Sequence, residues 1–161
     1  MTFLIASQIL NGLATGTLYS LMAVGLTLIL GALNIPNFAH GVLFAFGAYF
    51  TYAITEMTGS FYLAILIAPL LVSAMGFVLE SQGIQRLYSA HHDYQLLFLF
   101  ATALILQEVI IIIWGPVGFS VQPPASLQGA VDLGITVYPK YRLAVLAFGI
   151  VIIMALYFFL N

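Results

Sequence analysis

Asn34, Asn37 and His40 stand close together beside Pro36 and Gly41, inside a stretch with no formal charge from residue 1 to residue 55. Two amides and an imidazole supply both hydrogen-bond donors and acceptors without a net charge. Polar groups in an apolar segment are costly unless partnered, so they face a bundle interior or a water-filled path. A helix starting near Asn37 would also aim free backbone N–H groups and the positive end of its dipole at the same place. That chemistry suits holding a polar solute. The alternative is structural: Asn37 caps the second helix and His40 bonds a neighbouring helix.

Glu108, next to Gln107, is the one carboxylate well inside an apolar run. It can line a path or pair with a polar partner, or instead reach water at an interface. His91-His92-Asp93 resembles a metal cluster only superficially, since neighbours on one short loop rarely converge on an ion without further ligands. There is no Ser/His/Asp arrangement, paired carboxylate or phosphate-binding glycine loop. No catalytic residue, metal site or cofactor is expected, and the chain does not read as an enzyme.

The elements that position these groups follow from composition. Of 161 residues, 63% are hydrophobic and 5% charged, and the eight charges cannot give a globule of this size a polar shell. The solvent for most of the surface is therefore hydrocarbon. Three basic residues and a net charge of −2 leave no footprint for nucleic acid. The absence of cysteine removes disulfides and thiolate chemistry.

About 20 apolar residues cross the hydrocarbon core of a bilayer. The long uncharged opening must therefore be divided, and the segment around Pro36 is the break. Helix 1 is predicted over Phe3–Leu30 and helix 2 over Asn37–Thr55, with the turn Glu56–Ser60 after it. Helix 3 is predicted over Phe61–Glu80, with Pro69 as a kink, and helix 4 over Tyr94–Trp114. Helix 5 is predicted over Tyr141–Leu160. Ser81–Asp93 is the most polar connector, and Val131–Tyr138 alternates weakly enough to form a short hairpin. Solid apolar blocks exclude the alternation of a β-barrel. The expected fold is an all-α polytopic transmembrane bundle of about five spans, broken near residues 33–41.

Small residues recur every fourth position in helix 1 at Gly12, Gly16 and Ser20, with Ala23, Thr27 and Gly31 nearby. Helix 2 repeats the theme at Gly41, Ala45 and Ala48. Such spacing lets another helix approach closely. Generic bundle packing is the simpler explanation of both stripes, and Gly41 belongs to either the packing or the polar group.

The run from Asn11 to Tyr49 resembles the N-terminal part of the bacterial branched-chain amino acid ABC transporter permeases. Asn37-Phe38-Ala39-His40-Gly41, followed by Gly47-Ala48-Tyr49, is its most specific element, supported by Asn11-Gly12 and Tyr19. Tyr94 through Gln107-Glu108 to Trp114-Gly115-Pro116, with Pro123-Pro124, is similar to the fourth span and external loop of that family. The resemblance implies a multi-pass subunit of the inner membrane. Its implied partners are a second permease subunit, cytoplasmic ATP-binding subunits and a periplasmic solute-binding protein, besides membrane lipid. It places Asn37, Phe38, His40 and Gly41 at a discontinuity beside the translocation path.

Members of that family run to about twice this length, so residues 1–161 are expected to be a single transmembrane domain incomplete at its C-terminus. A truncated or split permease with a scaffold role remains open, as does a related permease for urea, amides or other amino acids. The resemblance puts the N-terminus and the Gly115–Pro139 loop outside. Arg86 then lies inside against Lys140 and Arg142 outside, a count that runs mildly against the positive-inside rule.

Overall fold

In a computed structural model, residues 2–33, 35, 37–134 and 136–160 are described. Five α-helices dominate: α1 Thr2–Leu33, α2 His40–Thr58, α3 Phe61–Gln82, α4 His92–Trp114 and α5 Lys140–Leu160. Between α4 and α5 lie two short strands, β1 Ala130–Asp132 and β2 Val137–Pro139. The chain is an all-α polytopic membrane protein with one small hairpin.

Four helical segments among the described residues are long and apolar enough to cross a membrane: Phe3–Gly31, Phe61–Leu87, His92–Trp114 and Lys140–Phe159. The fifth predicted span, α2, does not join that set, because His40, Glu56 and three threonines interrupt its apolar run. Those threonines turn inward on their own helix. Thr51 donates to the Gly47 carbonyl at 2.8 Å, Thr55 to Thr51 at 2.7 Å and Thr58 to Ile54 at 2.7 Å. Each hydroxyl is thus satisfied without a second helix, as polar groups in an apolar setting require.

Two boundaries moved. Helix α1 is uninterrupted over 32 residues, about 48 Å at 1.5 Å per residue, well beyond the hydrocarbon thickness. Helix α2 starts at His40 and not at Asn37. The Asn37 side chain accepts the Ala39 N–H at 3.0 Å, and the Asn37 carbonyl accepts the His40 N–H at 3.1 Å. This local turn competes with helix, so regular α-geometry begins only after it. Pro36, the predicted breaker, lies outside the described residues. Helix α3 runs through Pro69 without interruption.

The chain divides into two compact units, Leu26–Gln122 and Met1–Gly25 with Pro123–Asn161. In the first, α2 and α3 form a helical hairpin. Gly59 turns the chain with a left-handed φ of 67°, and Ser60 caps α3 by accepting the Leu63 N–H at 3.4 Å. The bond is long, so Ser60→Ala should cost only about 0.5–1 kcal/mol, read as a small drop in melting temperature in detergent.

Ala64 and Ala68 are fully buried on α3, and Gly47 on α2 faces Val72. A 3₁₀ turn at Ile84–Leu87 joins α3 to α4. The Gln95 amide closes it by donating to the carbonyls of Leu87 at 2.8 Å and Ala90 at 3.3 Å. Ile35, Ile84 and Leu99 form the buried apolar cluster, with Phe98 against it. The phenol of Tyr88 donates to Glu80. That hydrogen bond, then desolvation, then the carboxylate charge hold its pKa above the usual tyrosine value.

In the second unit the strands pair antiparallel, Ala130 with Pro139, Val131 with Tyr138 and Asp132 with Val137. Asp132 accepts the Gly134 N–H at 2.8 Å to shape the turn. The weak alternation over Val131–Tyr138 thus does form a hairpin, which leads straight into α5.

Candidate functional site

The described residues of the link between α1 and α2 differ in burial. Ile35 and Ala39 are buried, the first within the Ile84–Leu99 cluster, whereas Asn37 and His40 are half-buried and Phe38 is exposed. The two buried apolar side chains anchor the turn, and the Asn37 bond to Ala39 sets its shape. With its oxygen so engaged, Asn37 keeps two amide donors, and no hydrogen bond to the His40 ring occurs among the described residues. Gly41 is exposed, and a Cβ there would meet nothing within 4 Å. Asn34 lies outside the described residues. The turn therefore offers hydrogen-bond donors and acceptors at a helix start, equipment that can hold a polar solute.

Glu108 is exposed near the end of α4, and among the described residues it makes no hydrogen bond or ion pair. No hydrogen bond joins it to the Asn37–Gly41 turn. His91 and Asp93 form an exposed pair at 3.3 Å, of little energetic weight. Among the described residues no group of three or more His, Asp or Glu converges as a metal site.

The small-residue stripes occupy unexpected ground. Gly12, Gly16 and Ser20 are exposed, and a Cβ at either glycine would touch nothing within 4 Å. Ser20 donates back to the Gly16 carbonyl at 2.9 Å. On the neighbouring side of α1, Thr17 and Leu21 pack against Gly149 of α5. In α2, Ala45 is half-buried, and Gly47, not Gly41, approaches α3.

Two groupings escaped the reading of the sequence. Asn11 of α1 accepts from the Tyr138 hydroxyl at 3.0 Å and also from the Arg142 guanidinium. These partners stand well over a hundred residues away, so no spacing rule could find them. Around Trp114, the rings of Tyr49, Phe46 and Phe50 lie at 5.1, 6.3 and 6.2 Å. Phe119 stacks on Tyr52 at 4.5 Å. Beside them is an aromatic pocket of about 180 Å³ lined by Ala48, Tyr49, Tyr52, Gly118, Phe119 and Val121. The 46/49/50 spacing on one helix face was a signal that could have found the aromatic group.

Comparison with known proteins bears on this arrangement. Residues 8–161 match the family described as the permease component of the branched-chain amino acid transport system. The high-affinity branched-chain amino acid transport system permease protein BraD of Pseudomonas aeruginosa is 29% identical over 114 residues, covering 65% of this chain and 37% of that protein. The corresponding permease protein LivH of Escherichia coli is 38% identical over 47 residues, 29% of this chain and 15% of LivH. LivH of Salmonella typhimurium matches to the same extent. The chain thus spans little more than a third of the first relative, and less of the others. No solved structure matches it.

Proposed function

Because the chain belongs to the family of permease components of branched-chain amino acid transport systems, we propose that it forms part of the membrane pathway of an ABC importer for leucine, isoleucine or valine. In this reading it sits in the inner membrane and builds the path with a second permease subunit. Separate cytoplasmic ATP-binding subunits supply the energy, and a periplasmic solute-binding protein delivers the solute. The chain itself is a transport component and not an enzyme.

The observation that carries the site is the interruption of helix between Leu33 and His40, with half-buried Asn37 and His40 on it. Transporters build solute sites where helices break, since freed backbone groups and polar side chains can then face a cavity. We assign Asn34, Asn37, Phe38, His40 and Gly41 to the path, and Glu108, exposed on α4, is the further candidate for it. Access alternates as helices on either side of the break shift.

The test is uptake by proteoliposomes holding the complete transporter with its full-length permease. Asn37→Ala or His40→Ala should lower branched-chain amino acid uptake about tenfold, the effect of roughly one lost hydrogen bond to solute, with assembly unchanged. Unaltered uptake would assign both residues to packing. Uptake of urea or short amides in place of leucine would keep the family and overturn the solute.

A further inference from the structure

A local hydrogen bond sets the shape of a turn, whereas its place in the molecule comes from tertiary contacts. For the Asn37–Gly41 turn, one such contact reaches the connector between α3 and α4. Ile35, two residues before Asn37, is 4% exposed and packs with Ile84 and Leu99, with Phe98 against the cluster. Ile84 opens the 3₁₀ turn Ile84–Leu87. Leu99 stands four residues beyond Gln95, on the same face of α4.

Two devices hold the connector itself. Gln95 is 7% exposed, and its amide donates to the Leu87 and Ala90 carbonyls at 2.8 and 3.3 Å. It thereby satisfies backbone groups that the end of a helical turn leaves open. Buried and bonded to both carbonyls, it is not placed to touch a solute. Gly83 lets Phe98 close on the connector. A Cβ there would stand 2.7 Å from Cζ of Phe98 and 2.8 Å from the Leu79 carbonyl oxygen. In a close-packed interior such a displacement is passed on to the neighbours.

We propose that Gln95 and Gly83 are positioning residues for solute binding. They hold the Ile84–Leu87 turn, Ile84 and Leu99 hold Ile35, and Ile35 sets where Asn37 and His40 stand. The proposal rests on the assignment of Asn37 and His40 to the path. Every contact in it lies within the unit Leu26–Gln122. Its signature differs from that of a group touching solute. When the connector loosens, the ordered turn becomes one of several arrangements, and the apparent dissociation constant rises by the inverse of its population. Saturating solute draws the turn back, so the maximal rate survives.

The test uses proteoliposomes holding the complete transporter with its full-length permease. Gln95→Leu should raise the half-saturating concentration of leucine about tenfold, as when the ordered turn falls to about a tenth of the population, and leave the maximal rate unchanged. Ile35→Ala, which keeps the Gln95 hydrogen bonds, and Gly83→Ala, which displaces Phe98, should shift it in the same direction. Residues 1–161 contain no cysteine, so spin labels can be placed by Phe38→Cys and Gln85→Cys, both at exposed positions. Their distance distribution should be narrow in the parent and broadened by Gln95→Leu. A second pair, at exposed Phe44 of α2 and Leu70 of α3, should stay narrow.

An unchanged half-saturating concentration in either Gln95→Leu or Ile35→Ala overturns the proposal. So does a lowered maximal rate alone, the mark of lost assembly, or a broadened Phe44–Leu70 pair, the mark of general loosening. A broadened Phe38–Gln85 pair in a transporter that carries no branched-chain amino acid supports the positioning of the turn and refutes the transport reading instead.

Discussion

Gly149→Leu is expected to separate α5 from α1 and to lower stability by about 3 kcal/mol, the upper part of the range for overpacking. Gly149 is buried, and a Cβ built on it would stand 2.3 Å from Cγ2 of Thr17 and 3.5 Å from Cδ1 of Leu21. Thr17 cannot easily yield. Its hydroxyl donates to the Leu13 carbonyl at 2.8 Å, and a β-branched side chain in a helix has few alternative rotamers. The helices must therefore move apart. Within a bilayer no hydrophobic gain compensates, because lipid is as apolar as the lost neighbour.

Gly149→Ala should show a smaller version of the loss, about 1–2 kcal/mol. Gly12→Ala and Gly16→Ala, with open space at both positions, should be neutral or slightly stabilising through helix propensity. Thermal unfolding in detergent compares all four variants. Equal melting of Gly149→Leu and the parent would refute the close approach of α1 and α5.

The second large effect is expected at Asn11. Asn11→Ala removes the acceptor of the Tyr138 hydroxyl, and Tyr138 is only 2% exposed. A buried donor left without a partner costs about 1–3 kcal/mol, more than the net worth of the bond it made. Arg142 loses the same acceptor but is exposed and can turn to water, so its share is small. Hence Tyr138→Phe, which deletes donor and hydroxyl together, should cost less than Asn11→Ala. Adding it to Asn11→Ala should recover part of the loss. Melting curves of the two single variants and the double variant close that cycle. Strict additivity would mean that the two side chains do not interact.

Hydrogen exchange offers a structural readout of the same prediction. Asn11 ties β2 and the first turn of α5 to α1, so the Ala130–Pro139 hairpin should lose protection in Asn11→Ala while α2–α3 keeps its own.

Much of this architecture was readable beforehand for one reason: in a membrane, local composition decides. Apolar blocks of about 20 residues announce helices because every backbone group must be satisfied within its own segment. The helices at Phe61, His92 and Lys140 therefore begin within two residues of expectation. The break after Leu33 was legible from Pro36 and the two amides. Its exact end was not, because the Asn37 side chain takes a backbone N–H that would otherwise enter the helix. The α2 threonines show the converse case, polar residues that weaken a hydropathy signal yet bond internally to their own helix.

The sequence by itself determined a membrane-embedded helical chain, the places where it turns, and the Asn37–Gly41 element that marks its family. Only the tertiary structure decided which side of each helix meets which neighbour. Gly149 meets Thr17, Gly47 meets Val72, and Asn11 meets Tyr138 and Arg142, while Gly12, Gly16 and Glu108 are left facing outward. Rotation about a helix axis is normally written into an amphipathic stripe. Helices α1, α4 and α5 are apolar around almost their whole circumference, so no such stripe exists to read. Their facing sides are chosen by shape, through a few close contacts between residues far apart in the chain.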